Sequence, residues 1–145
     1  MSGKRWTERG GGALGQTLPL VVIFMMSLLL AAGLTIDVGN AYRVKQSLQA
    51  SADAASAAGA GNLPSPGAAI AAANSFGSEP GGKNPIPGSG PVSLQADANC
   101  VTGPKFCNPA NTVQVTESAD VPTYFLHLVG IDHVTVTVHS QACSP

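Results

Sequence analysis

Three histidines and three cysteines are the side chains in this sequence best suited to hold a metal: His127, His133 and His139, with Asp132 beside the second, and Cys100, Cys107 and Cys143. His133 and His139 fall on one face of an alternating stretch, six residues apart. At the rise of a strand that spacing is about 20 Å, several times the span of a zinc site. Three thiols without a close fourth ligand do not close a zinc site either. The other chemical patterns fail on spacing. No Ser stands in a Gly-x-Ser-x-Gly elbow, and "PGGKNPIPGSG" lacks the spacing of a phosphate loop. No pair of carboxylates stands out in an apolar context. Asp37 is the exception in position, since it directly follows a long apolar run, where an interfacial or capped carboxylate is the plainer reading than a catalyst. The residues therefore point to no enzyme, no cofactor and no metal.

The dominant element is that apolar run. From Gln16 to Ile36 no residue is ionisable, and Leu18 to Ile36 is apolar apart from Ser27 and Thr35. Nineteen residues of helix span about 28 Å, close to the thickness of the hydrocarbon core. A transmembrane helix is predicted. A secretory signal sequence also has a basic flank, here Lys4, Arg5 and Arg9, and a small-residue site exists at Ala31, Ala32 and Gly33. Its apolar stretch, however, usually stops at about 7 to 15 residues. A buried helix of a soluble domain fits less well, because the rest of the chain is not apolar enough to surround it. Lys4, Arg5 and Arg9 outweigh the more distant Arg43 and Lys45, so the amino end is expected in the cytoplasm and everything after Asp37 outside. Water at the interface is expected to solvate Asp37. The overall balance of 7 basic against 8 acidic residues provides no field for nucleic acid.

The helical pattern does not stop at Asp37 and Gly39. Ala41, Val44, Leu48, Ala52, Ala55 and Ala58 recur at steps of three and four, with Arg43, Lys45, Gln46, Gln49 and Asp53 mostly off that stripe. One glycine costs a helix about 1 kcal/mol, and no proline intervenes before Pro64. One helix is therefore predicted through two solvents, ending at "GAGNLPSP", where Gly59 and Gly61 offer left-handed caps. A thin alanine face suits close contact with another helix, and Ser27, Ala31, Thr35 and Gly39 form a second row of small residues at i, i+4 spacing.

In order and spacing, residues 15–60 resemble the amino-terminal module of TadG-like proteins of Flp (Tad) pilus assembly. An apolar helix leads into Gly33, Asp37, Gly39 and Tyr42, then into Leu48, Gln49, Ala52, Asp53, Ala54, Ala55, Ala58, Gly59 and Ala60. The tail "VPTYFLHLVGIDHVTVTVHSQA" resembles the carboxyl end of that family. The resemblance implies a bacterial inner-membrane, single-pass assembly protein, minor pilin-like or pseudopilin-like. Its implied partners are membrane lipid and other pilus-assembly helices, including its own kind, with no nucleic acid or small-molecule substrate. Longer relatives carry a von Willebrand-type domain, for which this sequence lacks the Asp-x-Ser-x-Ser motif, so a short form is expected. Pseudopilins carry a Glu five residues into the mature helix, where this sequence has Leu20. A retained anchor is expected.

The fold class is accordingly α+β. Residues 1–17 are expected as a cytoplasmic segment, 18–60 as the span with its amphipathic extension, 61–91 as a linker with one short helix near Gly67–Gly77, and 92–145 as a small outer lobe. Alternation predicts strands in "PVSLQAD", "NTVQVTES" and "DHVTVTVHSQ". A short helix between the last two, opened by Pro122 and closed by Gly130, is expected to cover the sheet with Tyr124, Phe125, Leu128 or Val129. An oxidising location makes Cys100 and Cys107, flanking a Gly-Pro turn, the expected disulfide, with Cys143 left over. Capture of either by Cys143 stays open. The rival function is a small secreted binding lobe released by cleavage near Ala32 or Gly33.

Overall fold

The structure is a computed structural model and describes residues 17–98 and 111–144. A helix α1, Thr17–Ala60, is followed by α2, Pro66–Phe76, and by three strands, β1 Val92–Asp97, β2 Thr112–Pro122 and β3 His133–Cys143. The strands form one antiparallel sheet in the order β1-β2-β3. The class is α+β. Lys4, Arg5, Arg9, Gly15, Cys100 and Cys107 lie outside the described residues.

α1 runs unbroken past Asp37 and Gly39 for 44 residues, about 66 Å of helix. Pro19 falls in its first turn, where a missing N–H breaks no bond. Its far end closes differently from expectation. Neither Gly59 nor Gly61 is left-handed. Gly61 N–H still bonds Ala57 O, Asn62 N–H and Leu63 N–H tighten onto Gly59 O and Ala60 O, and the Asn62 side chain donates to Ala58 O. Gly59 serves packing instead, since a Cβ there would stand 2.9 Å from Val113 Cγ1 and 3.1 Å from Ala69 O.

The two halves of α1 have different surroundings. Leu18, Ile23 and Leu29 are 69%, 65% and 70% exposed. From Gly33 onward one stripe is buried: Gly33, Asp37, Val44, Leu48, Ala52, Ala55 and Gly59. That stripe lies on the inward face of the sheet, against Val113, Val115, Ala119, Val121 and Val138, with Ala69 and Ala73 of α2 closing the core. The alanine face expected to seek another helix is thus occupied from within the chain, by α2 at Gly59 and by the strands along its length, which small side chains let approach closely. The segment expected as linker likewise contributes Ala69 and Ala73 to the core.

The cover expected from the β2–β3 connection is supplied by α1 and α2. Pro122 ends β2 rather than opening a helix, and the connection holds only a 3₁₀ turn, Leu126–Val129, capped by the left-handed Gly130. Tyr124, Leu128 and Val129 stay exposed. Cys143 is disulfide-bonded, so it is not the cysteine left over. Pairing with Cys100 or Cys107 would displace the bridge expected between those two.

Candidate helix docking site

β2 runs antiparallel to α1, as its contacts along the helix record. Gly59 meets Val113 at one end, Ser51 Oγ donates to Glu117 Oε1 at 3.1 Å in the middle, and Asp37 meets the β2–β3 connection at the other end. There the Asp37 carboxylate accepts three backbone hydrogen bonds, from Tyr124 N–H to Oδ1 at 2.9 Å and from Phe125 and Leu126 N–H to Oδ2 at 2.9 and 2.7 Å. These donors open the 3₁₀ turn and have no partner within it, so the side chain caps it from 87 to 89 residues away. Asp37 is 4% exposed. Water was the expected partner of this carboxylate, and the chain's own N–H groups take that place, as buried charge requires.

One turn earlier, Gly33 makes the approach possible. A Cβ at Gly33 would stand 3.0 Å from Phe125 Cβ and closer still to Cγ and Cδ1 of the ring. The neck of the connection is tied by Thr123 N–H to Asp132 O at 3.1 Å and by the Thr123 hydroxyl to Ile131 O. The two stretches that carry the sequence resemblance, Gly33/Asp37 and Val-Pro-Thr-Tyr-Phe, therefore touch.

The other singled-out residues divide cleanly. Leu48, Ala52, Ala55 and Gly59 pack in the core. Gln49 donates to Asp53 Oδ1 at 2.9 Å and to His139 O at 3.2 Å, linking α1 to β3. Gly39 has open space around it and Tyr42 is 62% exposed. In the other row of small residues, Ser27 and Thr35 return their hydroxyls to Ile23 O and Ala31 O of their own helix. His139 bonds Thr116 across the outer sheet face, and His127 Nδ1 meets Asp132 Oδ1 at 2.7 Å. Among the described residues no three His, Cys, Asp or Glu gather as metal ligands.

Sequence reasoning missed Glu117. It is fully buried, and its carboxylate accepts from Ser51 Oγ, from Ser78 N–H at 3.2 Å and from Ser78 Oγ at 2.8 Å, joining α1, β2 and the loop after α2. Burial pushes its pKa above the ordinary value against the hydrogen bonds from Ser78 and Ser51, and Glu79 nearby adds to the rise. The signal was present in the alternation, because Val113, Val115, Glu117, Ala119 and Val121 share the inward face.

Among the described residues one helix is long and apolar enough to cross a membrane, bare over its first half and packed along one stripe of the other by a small lobe. Residues 15–62 match the Tad family model, described as "Putative Flp pilus-assembly TadE/G-like". The match takes in 48 of the 145 residues, counted from 15 to 62, and includes both Gly33 and Asp37. No curated protein and no solved structure matches the chain.

Proposed function

We propose that this chain is a membrane-anchored structural subunit, minor pilin-like or pseudopilin-like, of a Flp/Tad-type pilus or a related secretion apparatus. Its amino end would be cytoplasmic and its lobe outside the inner membrane. The observation that carries this reading is the division of α1 into a bare half and a covered half. Beyond Gly33 the chain's own sheet and α2 bury one stripe of the helix, while Leu34, Ile36, Val38 and Tyr42 on its other faces stay exposed. The half before Gly33 presents only apolar and small side chains, a surface that lipid or neighbouring helices must cover. On the open face of the helix the row Ser27, Ala31, Thr35 and Gly39 is best shaped for a neighbouring helix, and the domain-wise picture is an anchor over 18–36, a docked helix to 60 and a lobe carried on it.

Release by cleavage near Ala32 or Gly33 fits less well. It would cut α1 where Phe125 packs on it, one turn before Asp37. Mass spectrometry of the mature chain tests this choice. An amino terminus upstream of Leu18 in the membrane fraction is expected, and a terminus at Gly33 or Leu34 in a soluble fraction would sink the anchor reading. Co-purification with other pilus-assembly components, lost on Ala31→Leu with Thr35→Leu while the chain still inserts, is the expected sign of assembly.

A further inference from the structure

Among the described residues, every large hydrophobic side chain left exposed outside α1 lies between Tyr124 and Val134. Leu128 and Val129 at the tip are 76% and 72% exposed, beside Tyr124 at 64%. The antiparallel run of β2 against α1 puts this connection at the end of the sheet nearest the apolar half of the helix. Its level is fixed by two contacts. Asp37 holds the N–H groups of residues 124–126, and Phe125 lies on Gly33, inside the charge-free run that ends at Ile36. Four residues of helix separate the two contacts, about 6 Å.

We infer that the connection from Tyr124 to Ile131 seats in the bilayer that α1 crosses, with Leu128 and Val129 at the boundary between headgroups and acyl chains on the lobe's side. This rests on the membrane-spanning reading of α1. Lipid is the occupant because the patch continues the lipid-facing surface of the span at the same depth. Little charge opposes insertion: residues 124–131 contain no Lys, Arg, Asp or Glu, and the Asp132 carboxylate just past them meets His127 Nδ1 at 2.7 Å and is 69% exposed, at the edge where headgroups and water solvate it. Tyr124 has the amphipathic ring that favours this depth. The three hydrogen bonds to Asp37 leave no unsatisfied donor to carry into the interface at its root. The lobe is thereby held to the membrane at two points, the helix and the tip, which fixes its tilt as a single helical stalk cannot.

The test uses the full chain with Trp6, its one tryptophan, replaced by Phe, in vesicles of phosphatidylethanolamine and phosphatidylglycerol containing brominated lipids. Tryptophan is placed singly by Leu128→Trp, Val129→Trp, Phe24→Trp in the span, or Gln95→Trp on the outer sheet face. Leu128→Trp and Val129→Trp are expected to be quenched most by bromine near the top of the acyl chain. Phe24→Trp should respond to deeper bromine and Gln95→Trp to none. If both tip tryptophans behave like Gln95→Trp while Phe24→Trp is quenched, the inference is wrong and the span stands. If Phe24→Trp is also unquenched, the span reading fails and takes the inference with it. Tip tryptophans shielded from aqueous quencher yet untouched by lipid bromine would mean that protein covers the patch, which also overturns it.

Discussion

Gly33→Ala and Gly39→Ala are the same change on the same helix, and the docking of the β2–β3 connection predicts a local cost for the first and none for the second. A methyl at Gly39 meets nothing within 4 Å, whereas at Gly33 it runs into Phe125 at Cβ, Cγ and Cδ1. Those atoms are the root of the side chain, so relief requires the Phe125 backbone to move, and its N–H is one of the three donors held by Asp37. Overpacking of this kind costs about 1–3 kcal/mol. The gain of about 1 kcal/mol in helix propensity from Gly to Ala does not offset it in this assay, because α1 is helical whether the connection is docked or open. Native-state amide exchange at Tyr124, Phe125 and Leu126, in detergent micelles, should therefore quicken by about 5- to 150-fold in Gly33→Ala, with RT ln 10 of about 1.36 kcal/mol per decade. Gly39→Ala should leave it within about twofold. In a Phe125→Ala background, which removes the ring and keeps only the 3.0 Å contact with Cβ, most of the cost of Gly33→Ala should disappear, which isolates the pair. Equal exchange in the two glycine variants, or a cost undiminished by loss of the Phe125 ring, would refute the docking.

Three further outcomes are expected. Asp37→Asn leaves one acceptor oxygen and no charge for three N–H donors, so exchange at the same three amides should rise tenfold or more; unchanged protection would mean that the carboxylate is incidental. Glu117 binds its proton more tightly folded than unfolded, so stability of the lobe should fall as pH rises from the ordinary value of 4.5 through the raised one. Glu117→Gln, titrated with denaturant across that range, should lose this slope and be the more stable form above it; a wild-type stability that rises with pH there would contradict the assignment. Peptide mapping without reduction should recover Cys143 linked to the Cys100 or the Cys107 peptide, and a free Cys143 would count against the disulfide.

What the sequence discloses here follows from locality. The continuity of α1 through Asp37 was readable because hydrophobic period and the absence of proline are properties of neighbouring residues. The three strands were readable from alternation in the same way. What covers the stripe Val44, Leu48, Ala52 and Ala55 was not, since small side chains accept a helix or a sheet equally well and nothing near them in sequence chooses. Asp37 could be placed at the edge of the apolar run, but its three donors lie 87 to 89 residues away. The resemblance grouped Gly33 with Gly39 and Asp37 with Tyr42, and only the fold separates the members that dock from those that stay exposed. Glu117 carries no local signal beyond its place in the alternation, because its partners are hydroxyls and an N–H brought in from α1 and the loop after α2.

The half of α1 before Gly33 is left for other helices or lipid, while beyond it the chain's own lobe takes the stripe from Asp37 to Gly59. Site-specific photo-crosslinking in cells that make the pilus-assembly proteins tests it directly, with the photoreactive residue at Ala31 or at Gln49. Ala31 should yield adducts with other assembly components or a second copy, and Gln49, which bonds the β3 backbone at His139, should yield only internal links to β3. Adducts with other chains from Gln49, together with none from Ala31, would mean that the lobe leaves its face of the helix open and that the span has no helical neighbour at Ala31.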